Sequence, residues 1–247
     1  MKASRRVPLR AVTFDCWQTL LVDRHFERAR ALRTEALVEA AAGRGVEVAS
    51  EVAAAAIGAA HGRHVELWTQ GVGSGSREIA GWALGVLGIE DAALAAALGH
   101  RFEEAGLAGE VEALPGAEET LAALAGRGVR IALVCDTGFS GGRIVRRFLA
   151  RVGLLDALEV QVFSDEVGVP KPHARMFEAA LRPLGVAPAE AVHVGDLRPT
   201  DVAGGRGFGM ETVRLRATHD DRSAHPEADA VADSHAHLLE LLGDRLR

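Results

Sequence analysis

The spacing of hydrophobic positions changes along the chain and divides it into two kinds of sequence. Residues 10–15 form a short apolar run, typical of a buried strand, and this run ends in Asp15. From residue 24 to residue 107 apolar positions recur three and four apart, with Arg and Glu between them. This second pattern predicts a series of amphipathic helices without a strand.

From residue 114 onward the pattern alternates between strands and helices. The predicted strands are residues 129–134, 160–164, 191–194, 211–215 and 230–232, and the predicted helices are residues 115–127, 142–152, 174–184, 201–207 and 235–242. Strands that alternate with helices of about ten residues indicate βαβ units. We therefore predict an α/β, Rossmann-like, doubly wound parallel sheet. Residues 1–22 and 110–247 form this core, and residues 23–109 form an inserted α-helical cap domain.

Polar residues follow the predicted strands where each strand ends. Asp15 ends the first strand, residues 135–138 (CDTG) follow the second, and Lys171 follows the third after a loop. Asp196 ends the fourth strand, and Asp201 opens the next helix. One such Asp alone is ordinarily a turn or capping residue. Because parallel sheets bind ligands at the carboxyl ends of their strands, the whole set predicts a functional site.

Lys171 is unusual in this sequence. Of the 28 basic residues, Lys2 and Lys171 are the lysines and the others are arginines. A lysine ammonium is a compact point charge, whereas an arginine guanidinium is a planar fork. Composition alone leaves two interpretations of Lys171, a lysine placed by chance and a functional residue within VPKP at residues 169–172.

Composition narrows the partners. The net charge of −6 disfavours nonspecific nucleic-acid binding, and no apolar run approaches the ~18 residues of a membrane span. The N-terminus lacks the apolar segment of a signal peptide. The two cysteines are too few for a disulfide framework, so we expect a cytoplasmic protein with a small-molecule partner and no nucleic-acid or membrane partner. It is a monomer or a homodimer.

Several strings resemble the four motifs of the haloacid dehalogenase (HAD) superfamily of hydrolases. They are FDCWQT at residues 14–19, CDTG at residues 135–138, FSDEVGVPKP at residues 163–172, and HVGD at residues 193–196 followed by DVAG at residues 201–204. The resemblance spans nearly the whole chain. The helical insert then resembles the cap of the subclass that carries it between motifs one and two.

The resemblance implies a mechanism with assigned residues. Asp15, in the loop that also carries Thr19, is the nucleophile that forms an aspartyl intermediate, and Lys171 offsets its charge. Mg²⁺ prefers oxygen ligands, and the implied ligands are Asp15, Asp196 and the backbone carbonyl of Trp17, with Asp201 either direct or behind them. Backbone N–H groups of the first loop, with a polar group of the second motif, hold the phosphoryl oxygens.

The second motif departs from the family pattern. The family usually has Ser or Thr directly after the strand, often followed by Asn, whereas this chain has Cys135 and Asp136. A thiol is a weak hydrogen-bond donor, so Thr137 is the alternative source of a hydroxyl. Cys135 is then either a site residue or merely a small buried one. Asp136 and Gly138 are predicted to contact the substrate.

The larger departure is Trp17, which stands where the family usually has a second Asp as general acid and base. Such help is worth roughly 10²–10⁴-fold in rate. The cap offers a replacement in His64, which shares one helix face with His61 and Trp68. The alternative for these two histidines is a solvated helix face beside a core-packed Trp68.

Trp17 also leaves the reaction open. L-2-haloacid dehalogenases carry an aromatic residue here, use no metal, and displace halide, which needs no proton. A third possibility is a catalytically weak HAD-fold binding protein. We favour a Mg²⁺-dependent hydrolase that acts on a small phosphorylated metabolite. Asp15 is its nucleophile, and Trp17 is predicted to contact the substrate. Two further carboxylates, Asp196 and Asp201, would be costly beside Asp15 without a cation.

Overall fold

The computed structural model describes residues 8–246, so the N-terminal segment that carries Lys2 lies outside the described residues. The strands are β1 (Ala11–Phe14), β2 (Leu21–Asp23), β3 (Val111–Ala113), β4 (Arg130–Cys135), β5 (Val160–Phe163), β6 (Ala191–Gly195), β7 (Glu211–Leu215) and β8 (Ala230–Ala232). The helices are α1 (Glu27–Ala42), α2 (Ser50–Thr69), α3 (Ser76–Val86), α4 (Ala92–Gly106), α5 (Ala117–Ala125), α6 (Gly142–Arg151), α7 (Ser164–Val167), α8 (Ala174–Leu184), α9 (Ala203–Gly207) and α10 (His235–Leu242).

The core is a six-stranded sheet in the order β5-β4-β1-β6-β7-β8, and all of its neighbouring strands are parallel. Strands β1 and β6 are buried over their whole length, because helices cover both faces of the sheet. Side chains of α5, α6 and α10 pack in one apolar cluster, and those of α8 pack in another. The predicted α/β fold is confirmed.

The segment α1–α4 (residues 27–106), which we call the helical insert, has its own apolar cluster. Leu37, Ile79, Leu84 and Phe102 are buried there among many alanines, whose small side chains let the helices approach closely. The division of the chain into two domains remains a prediction. None of the helices within residues 8–246 is both long and apolar enough to cross a bilayer.

The helical insert leaves and rejoins the core through a two-stranded antiparallel ribbon of β2 and β3, in which Leu21 pairs with Ala113. The sequence pattern did not predict these strands. Each has three residues, which is too short for alternation to show. The ribbon fixes where the chain departs, and so places the insert over the carboxyl ends of β1 and β4.

Candidate active site

The loop after β1 is wound tightly around the carbonyl of Cys16. The N–H groups of Leu20 and Leu21 both donate to that oxygen, at 2.8 Å each. Gln18 has a φ of 62°, a left-handed conformation that typically costs a residue other than glycine about 1–3 kcal/mol. The hydrogen bonds hold this turn in place, and Asp15, Trp17 and Gln18 line a cavity as a result.

Asp15, Lys171 and Asp201 form a buried chain of charges. The Nζ of Lys171 lies 2.5 Å from Oδ1 of Asp15 and 2.7 Å from Oδ1 of Asp201. The side chain of Lys171 is 2% exposed. Burial by itself would lower the pKa of Lys171, but Asp15 and Asp201 outweigh it and hold this pKa well above its usual value. Lys171 is therefore an ammonium that fixes both carboxylates.

Asp201 sits on a wide helical turn, residues Arg198–Val202, rather than at the start of a regular helix. Its Oδ2 accepts the N–H of Leu197 at 3.0 Å. A Cβ on Gly195 would lie 2.2 Å from Cγ of Asp201, so the end of β6 requires glycine there. Burial raises the pKa of Asp201, but Lys171 and His193 outweigh it and keep the group ionised.

His193 connects this chain of charges to the sheet, and sequence reasoning had given it no role. It pairs in register with Thr13, and its Nδ1 lies 2.7 Å from the Thr13 hydroxyl. Its Nε2 lies 3.1 Å from Oδ1 of Asp201. Burial lowers the pKa of His193, so the ring is neutral, and Nε2–H donates to Asp201. Two polar residues in fully buried strands were the available signal.

Carboxyl groups outnumber ammonium groups at this end of the cavity, where Asp15, Asp196 and Asp201 surround Lys171. Burial, with a further contribution from Asp201, raises the pKa of Asp15 to about 7 against the opposing effect of Lys171. Burial, then the charges of Asp15 and Asp201, raise the pKa of Asp196 to about 9. His219, 3.4 Å from Oδ2 of Asp196, is a neighbour that sequence reasoning missed. The site can therefore accommodate additional positive charge.

The same residues bear on metal binding. Within residues 8–246 no group of three or more His, Cys, Asp or Glu side chains is arranged to hold a metal ion. A Mg²⁺ ion needs only one or two carboxylates, because it keeps several waters. Asp15 and Asp196 can supply these carboxylates, since the charge of Asp15 raises the pKa of Asp196 and a bound cation would offset both charges.

The second motif links the core to the helical insert. Oδ1 of Asp136 accepts the N–H of Lys171 at 2.9 Å, and Oδ2 accepts Nε1–H of Trp68 at 2.9 Å. The hydroxyl of Thr137 lies 3.0 Å from the Ser164 hydroxyl and donates to Oδ1 of Asp165 at 2.9 Å. Trp68 thus contacts the active-site loop and is not packed in a hydrophobic core.

The cavity has a volume of about 680 Å³ and lies between the helical insert and the carboxyl ends of the strands. Most of the predicted site residues line it, namely Asp15, Trp17, His64, Asp136, Thr137, Gly138, Lys171, Asp196 and Asp201. Thr19 and Cys135 lie outside this lining and are fully buried. Of the two interpretations of Cys135, the structure supports a small buried residue, and Thr137 is the residue whose hydroxyl is nearer the site.

The two insert histidines face this cavity. A Cβ on Gly138 would lie 2.8 Å from Nε2 of His64, so the glycine leaves the space that the imidazole occupies. His61 stacks on Phe139 with 5.3 Å between ring centroids. Burial lowers the pKa of both histidines, which are therefore neutral at pH 7. His61 is exposed, as a solvated helix face requires, whereas His64 is only partly exposed. A neutral His64 is poorly suited to donate a proton.

Comparison with known proteins identifies the class. Residues 9–209 match the family model of a haloacid dehalogenase-like hydrolase. The chain belongs to the haloacid dehalogenase-like hydrolase family, which confirms the family and the hydrolase class predicted from its motifs.

Individual relatives agree with this assignment. Over 151 residues the chain is 33% identical to a ribulose-1,5-bisphosphate 5-phosphatase from Halopiger xanaduensis, which covers 61% of this chain and 62% of that protein. The match therefore spans less than two thirds of that relative's length.

Two solved structures share the fold at low sequence identity. One is a HAD phosphatase from Thermococcus onnurineus, with a TM-score of 0.63 and 23% identity over 95% of this chain and 98% of that one. The other is a 2-haloacid dehalogenase from Pseudomonas syringae, with a TM-score of 0.64 and 23% identity over 96% and 99% of the two chains. Because the phosphatase and the dehalogenase have nearly equal TM-scores to this chain, these structures establish the fold but do not distinguish between the two reactions.

Proposed function

We propose that the protein hydrolyses a small phosphorylated molecule through an aspartyl intermediate on Asp15. The observation that carries this proposal is the contact of 2.5 Å between Lys171 Nζ and Asp15 Oδ1 in a cavity that Asp196 and Asp201 also line. The similarity to a phosphatase at 33% identity supports it. A cytoplasmic location and a monomeric or homodimeric state remain predictions.

In this proposal a carboxylate oxygen of Asp15 attacks phosphorus. A bond forms between that oxygen and phosphorus, and the bond from phosphorus to the leaving oxygen breaks with its electron pair. The leaving oxygen then takes a proton. A water attacks the aspartyl phosphate, releases phosphate and regenerates the Asp15 carboxylate. Lys171 offsets the charge of Asp15 and of the phosphoryl oxygens, because its ammonium is already held between two carboxylates.

We propose that Mg²⁺ is the cofactor and that Asp15, Asp196 and the carbonyl of Trp17 hold it. Both oxygens of Asp201 already have partners in Lys171, His193 and Leu197, so Asp201 acts behind the ligands. When bound, the ion supplies positive charge to the phosphoryl oxygens. This role uses the backbone of Trp17 and is unaffected by its side chain.

Metal removal should abolish phosphate release. We expect the purified protein to release phosphate from a panel of phosphomonoesters with Mg²⁺ present, and to stop when EDTA is added in excess, since the phosphoryl oxygens then lose the positive charge of the ion. The measurement is colorimetric phosphate release, with restoration by added Mg²⁺ as the control. Phosphate release that is indifferent to EDTA would contradict the cofactor.

Mg²⁺ should also stabilise the fold in a pH-dependent way. The folded-state pKa values of about 7 for Asp15 and about 9 for Asp196 lie above the ordinary value of 3.8. Their contribution to stability is therefore present at low pH and is lost as the pH rises through about 7 and about 9. Mg²⁺ replaces those protons, so its effect on the thermal unfolding midpoint should be larger at about pH 9 than at about pH 5. An equal effect at both pH values would count against binding at these carboxylates.

Trp17 removes the usual proton donor, and a substitution tests its consequence. Trp17→Asp should raise kcat/KM for alkyl phosphates, whose leaving groups need a proton, relative to aryl phosphates by at least about tenfold, within the roughly 10²–10⁴-fold range of general acid catalysis. Trp17→Asn is the matched control, because it loses the same contact with Phe148 without adding an acid. Equal ratios in the two variants would show that another group already donates the proton.

Dehalogenation is the second candidate, and it is favoured by the position of Trp17 in the cavity lining. Asp15 would then attack carbon and displace halide, which leaves without a proton. Halide release from L-2-chloropropionate that persists in EDTA would support this reaction over phosphate release. If neither product exceeds the level of an Asp15→Asn variant across both panels, a catalytically weak binding protein is the better description.

A further inference from the structure

Arg33, on α1, is a buried cation without an anionic partner. It is 5% exposed, and its Nε donates to the carbonyl of Phe102 at 3.0 Å. Its guanidinium carbon lies 4.4 Å from the ring centroid of Phe139. Its Nη2 is buried and has no hydrogen-bond partner among residues 8–246. Burying an unpaired charge and an unsatisfied donor is expensive, which suggests that a ligand completes this group.

A second arginine lies beside it. Arg30, one helical turn earlier on α1, lines the same cavity as Arg33. Within the described part of the chain neither guanidinium forms an ion pair, although both are close enough to affect each other. Burial, and then the charge of Arg30, lower the pKa of Arg33 to about 10, so the group stays charged at pH 7. Two unpaired positive charges therefore occupy one wall of the cavity.

The two arginines lie on α1 of the helical insert, whereas the carboxylates lie at the strand ends of the core. The charge of Arg30 lowers the pKa of Arg33, which makes the two guanidinium groups electrostatic neighbours. By contrast, Lys171 acts directly on the pKa of Asp15. The cavity thus has an acidic end with one lysine and a second, basic region on the helical insert.

The chain leaves room for the guanidinium where two segments meet. A Cβ on Gly106, the last residue of α4, would lie 3.3 Å from Nη2 of Arg33 and 3.0 Å from the hydroxyl oxygen of Ser140. Ser140 and Phe139 belong to the core loop after β4, and both line the cavity. Arg33 is therefore held between the insert and that loop, in contact with the aromatic ring of Phe139.

We propose that Arg33 and Arg30 form a second anion subsite, so that the substrate is a phosphomonoester whose organic part carries another anionic group. An arginine fork binds a carboxylate or a phosphate by two charge-assisted hydrogen bonds, which would satisfy the unpaired Nη2. The apolar residues Trp17, Phe26 and Ile57 in the lining can contact the organic part. The inference rests on the proposed phosphatase function.

The test compares matched substrates. Alkyl phosphates, ω-carboxyalkyl phosphates and alkane bisphosphates of two to about six carbons are assayed, so that chain length covers the reach between the subsites and the two anionic series separate carboxylate from phosphate. We expect kcat/KM of the wild-type protein to favour one anionic series by about 10–100-fold, mainly through KM, which is the range for a charge-assisted hydrogen bond.

Variants assign this preference to the arginines. Arg33→Met should remove the preference, Arg33→Lys should retain part of it, and the exposed Arg30→Met should reduce it even if Arg33→Met folds poorly. Arg28→Met is the control, since Arg28 lies on the same helix, is exposed, pairs with Glu35 and lies outside the cavity lining. A wild-type protein without any preference, or a preference that survives both Arg33→Met and Arg30→Met, would overturn the subsite.

Calorimetric binding separates this inference from the phosphatase function. The same alkane bisphosphates and carboxyalkyl phosphates are titrated into the Asp15→Asn variant with and without Arg33→Met. If binding depends on Arg33 but the wild-type protein hydrolyses no phosphomonoester, the proposed function is rejected and the subsite is kept. Hydrolysis without any dependence on Arg33 would reject the subsite and keep the function.

Discussion

Asp15→Asn should reduce product release below detection, by at least about 10⁴-fold. Asn has nearly the same shape as Asp but cannot form the aspartyl intermediate, and loss of a covalent nucleophile in another hydrolase reduces kcat by about 10⁶. The measurement is kcat on the best substrate found for the wild-type protein. A variant that retains more than about one hundredth of the wild-type rate would show that Asp15 is not the nucleophile.

The control for Asp15→Asn is Asp23→Asn. Asp23 also lines the cavity, but it is exposed and pairs with Gln18 rather than with Lys171. We expect it to leave kcat within a few-fold of the wild-type value. Thermal unfolding should show that Asp15→Asn remains folded, because replacing a buried carboxylate whose pKa is about 7 removes a group that burial already disfavours as an ion.

Lys171→Met should both destabilise the protein and abolish its activity. The substitution leaves Asp15 and Asp201 buried without the ammonium that lies between them. Removing one partner of a buried ion pair typically lowers the free energy of unfolding by about 3–5 kcal/mol. Urea unfolding measures this change, and a loss below about 1 kcal/mol would contradict the role of Lys171 as the charge partner.

Two further variants make the Lys171 result specific. The double variant with Lys171→Met and Asp201→Asn should be less destabilised than the sum of the two single variants, because the uncompensated charge is removed together with its partner. Arg127→Met provides the surface comparison, since Arg127 is exposed and a surface substitution usually changes stability by about 0.5 kcal/mol or less. Additive single effects would show that Lys171 and Asp201 do not interact as the geometry implies.

The stability of this site comes from its arrangement around one lysine. Lys171 contacts Asp15 and Asp201, and its own backbone N–H donates to Asp136. Asp201 is fixed in turn by His193, which is fixed by Thr13. Lys171, Asp201, His193 and Thr13 therefore each have a polar partner inside the protein, as buried polar groups require. Asp15 is thereby held at the carboxyl end of β1, between the neighbouring strands β4 and β6.

The strand-end residues were predictable from sequence because their position depends on local pattern. Each of Asp15, Asp196 and the Asp136 loop follows a buried apolar run, and the carboxyl ends of parallel strands meet at one edge of a sheet. Once the alternation of strands and helices is recognised, the convergence of these residues follows from topology alone. The motifs that contain these residues predicted the family, and the match of residues 9–209 to the family model confirms it.

The direction of individual side chains was less predictable. Thr19 and Cys135 stand within the motifs, yet both point into the core, because the loop after β1 turns around the Cys16 carbonyl and Cys135 is still part of β4. His64 and Trp68 were placed on one helix face, but the position of that face relative to the core was not encoded in its spacing. The β2–β3 ribbon has three residues in each strand, too few for a periodic pattern to predict it.

The sequence by itself determined the α/β fold, the family and the convergence of Asp15, Lys171, Asp196 and Asp201, because the ends of the strands and the motifs that follow them are patterns local in the chain. Only the tertiary structure decided what surrounds that cluster. Arg33 looks like an ordinary polar position of an amphipathic helix, and it becomes a buried unpaired cation only when Phe102 and Phe139, which are distant in sequence, pack around it. Burial and charge pairing depend on contacts between distant segments, and these contacts shape the cavity that selects a substrate.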